Sequence, residues 1–285
     1  MSRISYSQLS MYNDCPKRWK LNYVDRLSIS ESGIHLIFGT AMHEVLQKYL
    51  EVMYYDTVKS ADTLDLDKML RDNLIKEFKK AEEQDGKPPA TKEQINEFFE
   101  DGVAIIDFFK KRRGDYFGKN QWELIGCEIP IDLELKKNIR MIGYLDVVLK
   151  CKITGKIKII DIKTSTQGWN KWMKGDKNKT QQLLLYKEFY SRQYNQPVKD
   201  IDIEYFIVKR KLWENADFPQ KRVQLFVPAS GTPSMNKMKR SLELFVNNAF
   251  TDDGEYSTEK LFATPSKKAC RWCEFRKTEY CSEGV

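Results

Sequence analysis

The chain has only two histidines among its 285 residues. It has no apolar run near the roughly 18 residues that span a bilayer, and it shows no internal repeat. The missing apolar run excludes a helical membrane protein. The opening MSRISYSQLS lacks the apolar core of a secretory signal. A soluble, cytoplasmic protein is therefore expected (host cytoplasm if it is of phage origin), with no membrane partner. Charge is not one-sided: 48 Lys and Arg face 41 Asp and Glu, a net +7. That excess suits a polyanionic partner without demanding one. What is plentiful is hydrophobic residues, at 41%, which excludes disorder. The six cysteines are even in number, but without a secretory signal they read as thiols rather than disulfides.

Periodicity divides the chain. Residues 5–24 read as helical, with Pro16 as a start or break. Residues 38–54 carry an apolar stripe at Phe38, Met42, Val45, Leu46, Tyr49, Leu50 and Met53, the mark of an amphipathic helix. Residues 60–118 are charged and mostly helical, punctuated by QDGKPP at 84–89. Three strands are expected at 122–135, 139–150 and 156–163, with Thr154-Gly155 turning between the last two. A loop at 164–179 leads to a helix at 181–194. Strands at 200–209 and 222–227 and a helix at 233–250 follow. The order implies an α/β fold with a mixed sheet.

Asp146 and Asp161 each sit inside aliphatic runs, GYLDVV and IIDIK, on adjacent predicted strands. An ionised carboxylate is costly there unless it is paired or metal-bound. The turn lets both reach the same end of the hairpin. Lys163 shares a strand face with Asp161, and Ile162 faces away. Two carboxylates hold a hard cation such as Mg2+ through oxygen. Such an ion activates water and offsets phosphate charge. A lysine adds positive charge beside the reacting atoms. Half-buried ion pairs on a surface hairpin would read the same from D-x-K alone.

His43 follows the small residues Gly39, Thr40 and Ala41, which allow close approach to a strand. Its nitrogen is a candidate metal ligand, and would widen the choice from Mg2+ towards Mn2+. A hydrogen-bonded structural histidine is the plainer alternative. Gln182 and Tyr186, four apart, share one helix face and suit a phosphate or an attacking water. Cys270-x2-Cys273-x7-Cys281 places three thiols within twelve residues, and Cys15 is the leading fourth. Four cysteines suit either Zn2+ or an iron–sulfur cluster, and spacing does not choose. Cys127 and Cys151 lie in predicted strands and read as packed thiols.

Taken in order, Cys15-Pro-x-Arg-Trp, Gly39-x3-His43, Gly143-x2-Asp146, Asp161-x-Lys163, Gln182-x3-Tyr186 and the C-terminal cysteines resemble the RecB-like branch of the PD-(D/E)XK nucleases. Members of that branch include the AddB C-terminal nuclease domain and the CRISPR-adaptation exonucleases with an iron–sulfur cluster. The motifs span nearly the whole chain, although 55–120 and 205–260 carry none. The proline of the family name is absent, since Leu145 precedes Asp146; RecB-like members often lack it.

The resemblance implies a restriction-endonuclease-like core: a mixed central sheet flanked by helices, in one domain over 1–285. Within it, 55–120 would be a helical insertion, 121–227 the catalytic sheet core, and 262–285 a cysteine tail pairing with the N-terminal helix. His43, Asp146, Asp161 and the Ile162 carbonyl would bind Mg2+ or Mn2+, and Lys163 would be the catalytic lysine. Gln182 and Tyr186 would support the active site and the DNA. Cys15, Cys270, Cys273 and Cys281 would hold a [4Fe–4S] cluster, with structural Zn2+ as the alternative. The implied activity is exonucleolytic, on single-stranded DNA or DNA ends, in recombination, repair or phage DNA metabolism. A non-catalytic DNA-binding module, or an interaction subunit with a structural metal cluster, is the competing function.

Three basic stretches are candidate DNA contacts. One is Lys110 to Arg113. Another is the loop with Lys171, Lys174, Lys177 and Lys179, where Trp169 and Trp172 are placed to stack on unpaired bases. The third is Lys209 to Lys211 with Trp213. A solvated charged face is the ordinary alternative for each. Protein partners are not indicated.

Overall fold

The computed structural model describes residues 1–27 and 32–285. A short strand β1 (Ser2–Ile4) opens the chain, followed by helices α1 (Tyr6–Asp14) and α2 (Pro16–Trp19) and a π turn over Lys20–Val24. The single helix expected at 5–24 is thus broken. Cys15 is extended, and Pro16 restarts the chain as the first residue of α2. Helices α3 (Ile34–Tyr55), α4 (Val58–Asp62), α5 (Leu66–Asp85) and α6 (Lys92–Phe117) come next. Gly86, with φ of 67°, ends α5 in the left-handed region that suits glycine. A capping box between Thr91 and Gln94 starts α6.

Three strands follow, β2 (Trp122–Lys136), β3 (Ile139–Cys151) and β4 (Ile157–Ser165). The stretch expected as a plain loop contains a short helix α7 (Lys171–Gly175), and α8 (Lys177–Gln193) starts four residues earlier than its apolar pattern. Then come β5 (Ile201–Lys209), β6 (Val223–Phe226), α9 (Thr232–Ala249) and a terminal turn α10 (Lys267–Cys270).

The strands form one mixed six-stranded sheet, ordered β1-β3-β4-β5-β6, with β2 on the far edge of β3. One core packs α3, α5 and α6 against one sheet face, through Val147, Leu149, Ile160, Ile162, Phe206 and Val208. A second packs α1, α8 and α9 against the other face, through Met141, Leu145, Val148, Ile159, Tyr205 and Ile207. The result is a helix–sheet–helix sandwich, as expected of an α/β fold with a mixed central sheet. Among the described residues, no helix is long and apolar enough to cross a membrane.

The C-terminal tail lies against the α2 turn. Arg18 Nη2 is 2.6 Å from Glu274 Oε2, Asn22 Nδ2 donates to Glu274 Oε1 at 2.7 Å, and Lys17 Nζ is 2.8 Å from Glu283. Leu21, Phe275 and Cys281 form a small apolar cluster beneath them.

Candidate active site

The site is built on a notch in the sheet. β2 pairs along one edge of β3 for almost its whole length. On the other edge, β1 pairs with residues 139–141 and β4 with residues 147–150. Among the described residues, 142–146 have no strand neighbour on that edge, and Asp146 is the last of them. The β3–β4 ladder stops at Val147↔Ile160. Beyond it, the Ile162 N–H donates to Asp146 Oδ2 at 2.7 Å, so the carboxylate takes the bond the ladder would have supplied.

The strands change phase at the same level. Leu145 packs in the α8-side core, yet Val147, two residues on, packs in the α3-side core. Strict alternation would put both on one face. β2 does likewise, with Cys127 against one core and Ile129 against the other. Between them lies Glu128, at φ of 50°, a left-handed backbone uncommon for a residue with a side chain. The flanking pairs Cys127↔Val147 and Ile129↔Leu145 set Glu128 opposite Asp146.

Helix α3 brings His43 to the notch. Gly39 makes the approach possible: a Cβ there would lie 3.3 Å from Thr164 Oγ1 on β4. His43 Nδ1 is 3.5 Å from Asp146 Oδ2, and its ring also bonds to the Ile162 backbone. Burial, then the Lys163 charge, lowers the His43 pKa and favours the neutral imidazole that binds metals. One turn on, Gln47 Nε2 bridges Glu128 Oε1 at 2.6 Å and the Asp146 carbonyl at 3.1 Å. Neither Gln47 nor Glu128 was anticipated. His43-x3-Gln47 carries a usable signal, since i and i+4 share a helix face. Glu128 carries none: one acid in an alternating strand is ordinary, and only its backbone marks it.

Asp161 is 1% exposed. Its Oδ2 lies 2.7 Å from Lys163 Nζ, and its Oδ1 has no hydrogen-bond partner among the described residues. Burial pushes both Asp146 and Asp161 up to about 6, against the opposing pull of Lys163. Burial also works against the Lys163 charge, but Asp161 and Asp146 outweigh it and raise its pKa. On the opposite helix layer, Gln182 Nε2 donates to Tyr186 Oη at 3.1 Å. A Cβ on Gly143 would lie 3.2 Å from the Tyr186 ring, so the glycine lets α8 close on β3.

The residues fit a divalent cation by one test. A buried carboxylate oxygen without a partner, beside a neutral imidazole and a second buried acid, is acceptor capacity that a hard cation uses. As they stand, no three His, Cys, Asp or Glu side chains among the described residues are gathered into a metal-holding group. At the hairpin, Lys163 and the Ile162 N–H already engage one oxygen of each acid. Cys15, just before α2, and the three cysteines of the tail are free thiols. Burial pushes the Cys273 thiol pKa up.

The residues expected to contact DNA differ in exposure and pairing. Trp169 is only 7% exposed and packs on Tyr205, with ring centroids 4.9 Å apart, so its indole is core and not a stacking surface. Trp172, three residues on, is 85% exposed. Arg210 and Lys211 are neutralised by Glu97 and Asp101 of α6, at 2.5–3.0 Å. Arg112 pairs with Asp115 and Arg113 with Asp62, each at 2.9 Å. In the α7–α8 loop, Lys171 and Lys177 are exposed, Lys174 lies over the Phe226 ring and Lys179 over Trp169.

A solved structure described as "Crystal structure of SSO0001" aligns over 83% of this chain and 94% of its own, at 15% identity and a TM-score of 0.31. A search of curated proteins finds no significant match. The family model of the PD-(D/E)XK nuclease superfamily matches residues 3–278, a span that takes in most of β1, the notch with its Asp146, Asp161 and Lys163, and all but the end of the cysteine tail. By that match, over nearly its whole length, the chain belongs to the PD-(D/E)XK nuclease superfamily.

Proposed function

We propose that the protein is a metal-dependent deoxyribonuclease of the RecB-like kind, acting on single-stranded or end-processed DNA. The observation that carries this reading is the meeting of His43, Asp146, Asp161 and Lys163 at one notch between β3 and β4. His43, Asp146, Asp161 and the Ile162 carbonyl would hold Mg2+ or Mn2+. That ion supplies an activated water and offsets phosphate charge.

The chain's own residues set the stage. The Ile162 N–H fixes Asp146, and Gln47 holds the backbone beneath it. Lys163 keeps a positive charge beside Asp161, where a phosphate's developing charge would be stabilised. Gln182 and Tyr186 present an amide and a phenol, joined to each other, that suit a phosphate oxygen or a water.

With Mg2+ or Mn2+, the purified protein is expected to degrade end-labelled single-stranded DNA and to spare a covalently closed circle. Cutting of the circle would replace exonucleolytic with endonucleolytic action. Binding without cutting under either metal would support a non-catalytic module instead.

Cys15, Cys270, Cys273 and Cys281 are proposed to hold a [4Fe–4S] cluster. The tail's contacts with Arg18 and Asn22 support this by bringing the cysteine-bearing segments together. Anaerobically purified protein should be brown, with broad visible absorbance. Colourless protein with stoichiometric zinc would replace iron by zinc and leave the nuclease reading intact.

A further inference from the structure

A cleft of about 1060 Å³ opens between α1, the start of α8 and α9. Its walls carry Lys177, Lys237 and Arg240, and among the described residues no Asp or Glu lines it. In a chain with 41 acidic residues, that is a marked imbalance. None of the three cations has a carboxylate within ion-pairing distance among the described residues. Neighbouring cations differ: Lys268 pairs with Asp176 at 2.9 Å and Lys239 with Glu188 at 3.0 Å. Lys237 lies close enough to Lys177 for that like charge to lower its pKa. Two ammonium groups side by side repel unless an anion sits between them.

The positions on α9 are regular. Lys237, Arg240, Leu244 and Asn248 recur every three or four residues and form one stripe along the cleft. The buried residues Met235, Met238 and Phe245 occupy another face. The cleft is tied to the active site through its wall. Ser241 Oγ donates to Asn13 Oδ1 at 2.8 Å, and Asn13 Nδ2 donates to Gln181 Oε1 at 3.3 Å. Gln181 adjoins Gln182, and Lys177 lies five residues before Gln182, about 7.5 Å along the helix. A second groove shares Asn13, Lys177 and Asn178 and leads on to the exposed Trp172.

We propose that this cleft is a second nucleic-acid site, in which Lys177, Lys237 and Arg240 bind phosphates of a single strand while Trp172 stacks on one of its bases. The cations suit the phosphates, and an exposed indole suits stacking on an unpaired base. The ligand, DNA, rests on the nuclease reading; the cleft does not take part in the cutting step.

The test is fluorescence anisotropy with a fluorescein-labelled oligothymidylate, in EDTA so that nothing is cut, over a range of salt. Lys237→Ala and Arg240→Ala should each weaken binding about tenfold and lower the slope of log affinity against log salt by about 0.7, the single-strand value for one phosphate. Trp172→Ala should weaken it roughly tenfold with little change of slope. Lys152→Glu, on the far β3–β4 turn, should change neither. Mn2+-dependent hydrolysis of bis(p-nitrophenyl) phosphate, too short to reach the cleft, should be unaltered by the cleft variants. Wild-type affinity and slope in both cation variants would overturn the proposal. So would equally tight binding of the corresponding duplex, or competition by millimolar inorganic phosphate that does not depend on oligonucleotide length. If wild type cuts no substrate but the cleft variants still lose affinity, the nuclease reading fails and the cleft stands.

Discussion

Lys163→Met is expected to lower DNA cleavage by about 10²–10³-fold while leaving divalent metal binding in place, because it removes one preorganised charge from the reacting atoms and no metal ligand. Asp146→Asn should lower cleavage at least as much, but by loss of the metal. The two variants therefore separate in a metal titration although both are inactive. Structural ion pairs on a hairpin would give no such separation. Lys163 also partners the buried Asp161 at 2.7 Å. Taking it away leaves two buried acids short of countercharge, which destabilises the metal-free chain on the scale of a broken buried pair, about 3–5 kcal/mol at most. Metal should restore part of that loss. Circular dichroism with and without Mn2+ checks the fold, and a single-turnover assay on labelled DNA checks the rate.

Metal is expected to raise the melting temperature, and the rise should be larger at pH 7.5 than at pH 5. Asp146 and Asp161 have folded-state pKa values near 6, against an ordinary 3.8. Between those limits the folded chain binds more protons than the unfolded one. Stability from this pair is therefore lost as pH rises from about 4 to 6, and the full cost of two buried charges is present above that. A divalent ion offsets the charge where it is costly and competes with protons where it is not. At one hundred times its dissociation constant, such a ligand adds about 2.7 kcal/mol, or about 4–5 °C for a chain of this size. Asp161→Asn should erase most of the metal response. Scanning fluorimetry at the two pH values, in EDTA and in Mn2+, reads all of this. A wild-type response equal to that of Asp161→Asn would show that the pair does not take up the ion.

How much was legible in the residues depended on the range of the physics involved. The three strands from 122 to 163 were readable because alternation and the Thr154-Gly155 turn are local. Asp146, Asp161 and Lys163 stood out because charge inside aliphatic runs is costly whatever the fold. β1 escaped because three residues carry no period. Its pairing with residues 139–141 creates one side of the notch, so the shape of the site was hidden as well. Trp169 and Trp172 look alike in the sequence, yet Tyr205 and Phe226 bury the first and leave the second in solvent. Arg210 looked like a free cation until Glu97 and Asp101, more than a hundred residues away, were found against it. Lys237 and Arg240 drew no notice in a stretch without motifs, because an unpaired charge is defined by what folds beside it. Glu128 is the sharpest case: its left-handed backbone at the level of Asp146 is a property of two strands changing phase together.

A crystal structure of the protein soaked in Mn2+, with the anomalous signal of manganese located, would bear most directly on whether this hairpin is a catalytic centre. The expected map has a peak in the notch within coordination distance of His43, Asp146 and Asp161, with Lys163 still on that side of β4. A map with no manganese between those three side chains, at a concentration that supports DNA cleavage, would mean that the chemistry is done elsewhere.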